Sequence, residues 1–287
     1  MNKNIKALYG LKFNPFSPDL PLEAVHVTQK VDDFGWRIEH SLAREGGFAM
    51  ITGDPGTGKS VALRLLADRL GRMREVTVGC LEHPQSSLAD FYREMGDCFG
   101  VPLKPHNRWG GFRSLRARWM AHIESTLMRP TLLVDEAQEM HPTVMGELRI
   151  LTSTHFDSRS ILSVVLAGDR RLVDKLRRED LLPLGSRIRT RLTLEPASSE
   201  ELRACLLHLM QSAGNTKLMT RELIETLCDH ALGNFRVLCT MANELLNVAA
   251  QRELDVLDEK LYLNVFAVSS SPPPSEPPRR GGGRRRK

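Results

Sequence analysis

The sequence predicts an α/β chain: a parallel β-sheet with helices on both faces, followed by a small all-helical domain. Three observations carry this. Short apolar runs alternate with helical stretches between Gly47 and Pro196, a glycine loop joins the first apolar run to a helix, and beyond Pro196 only helical spacing remains.

Taken in order, residues 1–45 form a lead-in segment. Its first part, "YGLKFNPFSPDLPLEAV", is rich in proline and aromatics, and "VDDFGWRIEHSLAREG" then places Phe34, Ile38 and Leu42 at helical spacing. The α/β domain spans 46–196. "FAMIT" reads as its first strand, Ser60 to Leu70 as a helix and "EVTVGCL" as a second strand, with helical segments running to about Met128. "TLLVDE", "ILSVVLAG" and "RTRLTLEP" read as strands three to five. In the helical domain, 197–268, "SSEELRACLLHLMQSAG" and "TRELIETLCDHALG" each open on a capping hydroxyl followed by glutamate. "NFRVLCTMANELLNVAAQREL" and a short helix near Asp258 to Phe266 complete it. The tail 269–287, "SSSPPPSEPPRRGGGRRRK", is of low complexity and lacks the apolar residues a core needs, so the sequence predicts it disordered.

With 41% hydrophobic and 26% charged residues, the 287-residue chain has enough apolar material for a sizeable core. Its net charge of +5 is less informative than it looks. Six basic residues and one acid follow Ser269, so the whole excess lies in the tail and the body is neutral. The five cysteines are scattered without a CxxC, which argues against disulfide or zinc frameworks and fits a reducing cytoplasm. No apolar run approaches the ~20 residues that cross a bilayer, and the N-terminus lacks the apolar stretch of a secretory signal, so no membrane role is expected.

Gly53 to Ser60, "GDPGTGKS", matches the phosphate-loop pattern G-x-x-x-x-G-K-[ST] between a strand and a helix. In such a loop the backbone N–H groups turn inward onto phosphate oxygens, and glycines allow the close approach. The positive end of the helix dipole adds to the attraction. Gly53, Asp54, Pro55, Gly56, Thr57, Gly58, Lys59, Ser60 and the adjoining Val61 are therefore candidate nucleotide-binding residues. Lys59 is expected to reach the β- and γ-phosphates, and the Ser60 hydroxyl to ligate Mg²⁺. The strand "TLLVDE" ends on two acids. Asp135 would help to hold Mg²⁺, and Glu136 would polarise a water for in-line attack on the γ-phosphate of ATP. In "LGSRIRTRL", Arg187, Arg189 and Arg191 alternate with Ile188, Thr190 and Leu192, which reads as a strand with one polar face.

Together these parts resemble the AAA+ ATPases, over about Tyr9 to Phe266. Within them, "YGLKFNPF", "GFAMITGDPGTGKS", "LLVDEAQEM", "VVLAGDRRL", "GSRIRTRLTLEP" and "GNFRVL", in this order, resemble the ExeA-like ATPases and the TniB/TnsC-type ATP-binding helper proteins of DNA transposons. The resemblance implies a P-loop NTPase sheet of the AAA+, ASCE type, with the helical domain as a lid over the nucleotide. It implies that Asp169 occupies the sensor-1 position, although Asp is less usual there than Asn, Thr or Gln. Arg187 is implied as an arginine finger reaching a neighbouring subunit's ATP, and Arg236 of "GNFR" as sensor 2 on the lid. Arginine suits both tasks because its planar fork binds phosphate in two-pronged fashion and stays charged. Adenine contacts are implied from the lead-in segment, with Phe16 and Val27 as candidates.

"KPHNRWGGFRSLRAR" contains Lys104, Arg108, Arg113, Arg116 and Arg118, with Trp109 and Phe112 interleaved and no acid. Such a segment suits contact with a DNA backbone, and equally a solvated helix whose aromatics are core. The first reading is a cytoplasmic, ATP-dependent, DNA-binding regulator of transposition. It would assemble as a homo-oligomer on duplex DNA, recruit a transposase and hydrolyse ATP between subunits. The alternatives are an ExeA-like ATPase assisting assembly of a secretion apparatus, or a slow nucleotide-dependent adaptor. The basic tail and the ending after the lid favour the first.

Overall fold

The computed structural model describes residues 5–81, 83–103 and 107–266. In chain order its elements begin with α1 (Ile5–Tyr9), α2 (Gln29–Arg37), a π-helical turn at Ile38–Leu42, α3 (Ala43–Glu45), β1 (Gly47–Gly53) and α4 (Lys59–Gly71). There follow β2 (Val78–Leu81), α5 (Leu88–Phe99), α6 (Arg108–Thr126), β3 (Thr131–Val134), α7 (Pro142–Thr152), β4 (Ser153–Thr154) and β5 (Arg159–Ser160). The α/β part closes with β6 (Ser163–Gly168), α8 (Arg170–Leu176), α9 (Leu182–Gly185) and β7 (Ile188–Leu194). Beyond β7 the chain is helical, with α10 (Ser199–Ala213), α11 (Arg221–Ala231), α12 (Phe235–Arg252) and α13 (Glu259–Phe266) making up the part expected to be the lid.

The five strands anticipated from the apolar runs form one parallel sheet in the order β2-β3-β6-β1-β7. Side chains alternate across it, as the twofold strand period requires. Phe48, Met50, Leu132, Val134, Val164 and Leu166 enter a core with Phe91, Trp119 and Leu148 of α5, α6 and α7. Ala49, Ile51, Leu133, Val165 and Ala167 enter the opposite core with Phe34, Leu66 and Leu70 of α2 and α4. Central strands covered on both faces read as continuous apolar runs, which is why "FAMIT" and "SVVLAG" were legible. The short antiparallel pair β4–β5 has no comparable apolar signature.

The strand β7 departs from simple alternation. Its pairing with β1 shifts by one residue between Phe48 and Ala49, which oppose Ile188 and Thr190 and leave Arg189 as a bulge. Ile188 therefore joins one core and Leu192 the other. The three arginines do not share one uniform face. Arg189 pairs with Glu45 at 3.4 Å, and Arg191 donates to the Gly185 carbonyl at 3.4 Å. Since β7 is an edge strand, its charged side chains also discourage edge-to-edge pairing.

The lid helices begin where their hydroxyls predicted. Ser198 and Glu201 form a reciprocal capping box on α10, and the Thr220 side chain accepts from Leu223 N on α11. The lead-in segment divides between two partners. Tyr9, Leu11 and Phe16 sit in the lid core, whereas Phe34, Ile38 and Leu42 pack beneath the sheet. The Tyr9 hydroxyl donates to the Leu254 carbonyl at 2.9 Å, and Lys12 N donates to the Ala213 carbonyl at 2.9 Å. The segment thus straps the lid to the α/β part. Among the described residues no helix is long and apolar enough to cross a membrane.

Candidate nucleotide site

The site is built on the loop between β1 and α4. Gly53 closes the strand so tightly that an added Cβ would lie 2.5 Å from Thr57 Oγ1 and 2.6 Å from the Leu194 carbonyl oxygen. Gly56 and Gly58 take φ of +83° and +100°, conformations that glycine adopts without a Cβ clash. Thr57 Oγ1 donates to the Asp54 carbonyl at 2.8 Å and holds the turn closed. The loop opens into the N-terminus of α4, whose first N–H groups have no partner within the helix. Lys59 is only 6% exposed, and its ammonium donates to the carbonyls of Gly53 at 3.0 Å and Asp54 at 3.2 Å. A buried cation held by neutral acceptors, at the N-terminus of a helix, is a donor set for phosphate.

This loop floors a cavity of about 680 Å³, room for a nucleotide-sized ligand. Its walls include Pro55 to Val61, Glu136, Arg236 of the lid, and Phe16 and Val27 of the lead-in segment. The two lead-in residues differ in kind. Phe16 is 2% exposed within the lid core, while Val27 is 43% exposed and free to meet a ligand. His26, which the sequence did not single out, also lines the cavity with its Nδ1 buried and without a hydrogen-bond partner. Burial, and then the neighbouring His208, push its pKa down and favour the neutral ring. A neutral imidazole nitrogen there can hydrogen-bond the edge of a base.

At the end of β3, Asp135 Oδ1 accepts from Glu136 N at 2.9 Å, and Glu136 takes the left-handed conformation, with φ of 48°. Non-glycine residues adopt this at a cost that is commonly met at functional sites. The consequence is an exposed Glu136 carboxylate on the cavity wall. Gln138, 5% exposed, donates from Nε2 to Glu136 Oε2 and accepts from Asp169 N at 3.2 Å through Oε1. It links the ends of β3 and β6. The only sequence signal for it is a glutamine two positions after the acid.

Ser60, at the start of α4, and Asp135, at the tip of β3, supply oxygen ligands of the kind Mg²⁺ takes. No cluster of three or more His, Cys, Asp or Glu residues suited to a metal occurs among the described residues.

Three further expected site residues divide by position. Asp169 does not line the cavity. It caps α8 by accepting from Arg171 N at 2.8 Å, and its other oxygen accepts from Arg171 Nε at 2.9 Å, so its carboxylate is committed locally. Arg236 does line the cavity, in the first turn of α12, and no acid pairs with it among the described residues. Arg187 stands apart. β1 and β7 run parallel, Phe48 opposite Ile188 and Gly53 opposite Leu194. Arg187 is therefore at the far end of the sheet from its own phosphate loop, about 20 Å away at ~3.3 Å per residue along the strand. Its guanidinium pairs with Asp157, between β4 and β5, and donates to the Pro183 carbonyl.

The basic segment also divides. Lys104 lies outside the described residues, as does the tail 269–287 with its arginines. Arg108 and Arg116 are structural. Arg108 donates to both oxygens of Glu147, whose side chain is only 4% exposed and also accepts from the Tyr92 hydroxyl. Arg116 donates to the carbonyls of Leu151 at 3.1 Å and Ser153, closing the C-terminal end of α7. Arg113 and Arg118 remain exposed and without an ion pair among the described residues. Trp109 is 67% exposed, its ring stacked on Phe112 at 5.6 Å, so it is not a core residue.

Residues 42–176 match the family of AAA domains. The chain is 29% identical over 223 residues to General secretion pathway protein A of Aeromonas hydrophila, covering 76% of this chain and 40% of that protein. It thus spans about two fifths of that relative's length. Among solved structures it is similar to Cdc6p from Pyrobaculum aerophilum, with a TM-score of 0.67 and 16% identity over 85% of this chain and 67% of that one. The Aeropyrum pernix ORC1 protein, solved in complex with DNA, gives a TM-score of 0.67 and 15% identity over 89% and 68%. The Thermotoga maritima RuvB Holliday junction branch migration motor gives 0.52 and 15% over 88% and 73%. The fold is the α/β P-loop fold that the strand-loop-helix motif predicted, with its parallel five-stranded sheet.

Proposed function

We propose that the chain hydrolyses ATP at the boundary between copies of itself and uses the ATP-bound assembly to hold duplex DNA, recruiting a transposase in DNA transposition. The observation that carries the first part is the division of the machinery. Lys59, Glu136 and Arg236 meet in one cavity, while Arg187 faces away at the far end of the sheet. Loop N–H groups and Lys59 hold the phosphates, Arg236 closes from the lid, and Glu136, steadied by Gln138, polarises the attacking water. Ser60 and Asp135 would hold Mg²⁺, which would supply positive charge to offset that of the phosphates. Arg187 of a neighbouring copy completes the transition-state charge, and this makes the homo-oligomer the active form.

For DNA, support comes from the exposed side chains of Trp109, Arg113 and Arg118 on α6, and from the fold shared with the ORC1 protein solved with DNA. The test is duplex binding in low salt with a non-hydrolysable ATP analogue, with ADP and without nucleotide. Binding should need the analogue, weaken with ADP and fall steeply with salt. A second reading, assembly of a secretion apparatus, is favoured by the General secretion pathway protein A match. Absence of nucleotide-dependent DNA binding across low salt would overturn the transposition reading and leave this one.

A further inference from the structure

The start of the lid helix α12 is bound to the phosphate loop by two donors. Asn234 Nδ2 donates to the Pro55 carbonyl at 3.0 Å, and Phe235 N donates to the Gly56 carbonyl at 3.1 Å. The other end of the same amide, Asn234 Oδ1, accepts from Arg236 N at 3.0 Å and Val237 N at 3.1 Å, capping the helix. The two surfaces fit so closely that a Cβ on Gly56 would lie 2.0 Å from Asn234 Oδ1. On its outer side the turn is fixed as well. Ala197 N donates to the Gly233 carbonyl at 2.9 Å, and Gly233 takes φ of +79° with no room for a side chain against Pro196.

These contacts have a consequence for phosphate. In a trans peptide the C=O and the next N–H point in opposite directions. Holding the carbonyls of Pro55 and Gly56 toward the lid therefore orients the peptide planes that carry the N–H groups of Gly56 and Thr57. The side chain that does this also sets the first turn of α12, which carries Arg236 over the cavity. Resting on the reading of the cavity as an ATP site, we infer that Asn234 is a positioning residue for hydrolysis: it joins the phosphate loop to the lid so that the loop's donors and Arg236 move as one body. Phosphate bound in the loop then favours the docked lid, and a docked lid strengthens the loop's hold on phosphate.

The test separates this role from helix capping. Asn234→Ser keeps a good capping oxygen and removes the donor to Pro55. In the full chain it should weaken binding of a fluorescent ADP analogue roughly tenfold and lower kcat similarly, with an unchanged melting temperature. Arg236→Ala added to it should cost less than Arg236→Ala alone, because the arginine has already lost its placement. Wild-type affinity and kcat in Asn234→Ser, or full additivity with Arg236→Ala, would overturn the inference. Should the variant not fold, hydrogen exchange of the wild-type protein decides. Residues 55–58 and 234–238 should gain protection together on adding ADP, and independent behaviour would overturn it. Failure of the wild-type chain to bind or hydrolyse ATP would instead strike at the reading of the site.

Discussion

Arg187 and Lys59 stand at opposite ends of one sheet. The β1–β7 register fixes this: Arg187 adjoins Ile188, opposite Phe48 where β1 begins, and Lys59 lies beyond Gly53 where β1 ends. An arginine so placed cannot serve the phosphate loop of its own chain. It can serve one presented by a neighbour.

Asp157 holds Arg187 in the isolated chain, and it is also 4.0 Å from Arg149. It belongs to a run of three residues, His155, Phe156 and Asp157, with positive φ. Engagement of a neighbour must compete with this pair. Asp157→Asn should therefore raise ATP turnover several-fold at low protein concentration, where assembly limits the rate, and change it little at saturation. Turnover measured against protein concentration checks this; an unchanged curve would mean that the pair does not restrain the arginine.

Gln138 holds the Glu136 carboxylate and the Asp169 backbone together. Gln138→Ala should leave ATP binding near wild type and reduce kcat by about tenfold, since about 1.4 kcal/mol of transition-state placement is lost. Steady-state kinetics with an independent nucleotide Kd separate the two effects. Glu136→Gln should abolish turnover while retaining ATP.

The arginines of α6 should respond according to their surroundings. Arg113→Ala with Arg118→Ala should weaken duplex binding at every sequence and reduce the salt slope by about two, with the melting temperature unchanged. Arg108→Ala should instead cost stability, about 1–3 kcal/mol, by leaving the buried Glu147 without its cation. Salt titration of DNA binding and thermal melting read the two outcomes.

Glu147 also gives a pH dependence. Burial works to raise its pKa, but hydrogen bonds from Arg108 and Tyr92 outweigh that and hold it below the ordinary carboxylate value. A folded pKa below the unfolded one gives stability that is present above the unfolded value, near ~4.3, and is lost as pH falls through the folded value. Melting between neutral pH and pH 3 should show this loss, and Arg108→Ala should flatten it.

What could be read from the sequence was local. The phosphate loop, the acids ending β3 and the capping residues of the lid each carry their signal within a few positions. Arg108 and Arg116 could not be judged that way. Their partners are Glu147 and the end of α7, more than thirty positions away, so a run of cations without acids looked free when two of them were occupied. The distance of Arg187 from its own phosphate loop rests on strand register, which alternation does not report, and the bulge at Arg189 disguised even the faces of β7. Asp169 lies in the expected place at the end of β6, but its carboxylate turns to Arg171, two residues along the chain. The lead-in segment reads as one unit only because nothing local says that Tyr9 and Phe34 enter different cores.

The central claim is that one copy's Arg187 completes another copy's site. Mixing two inactive proteins tests it most directly. Arg187→Ala keeps its own Lys59 and Glu136 but offers no arginine, and Glu136→Gln offers Arg187 but cannot activate water. Each alone should turn over ATP at least about 10³-fold more slowly than wild type while still binding it. Mixed in equal amounts, they should recover a substantial fraction of wild-type activity at the interfaces that pair an intact site with an intact arginine. If the mixture forms common oligomers and stays as inactive as its components, Arg187 does not act between copies, and the account of hydrolysis at a shared interface is wrong.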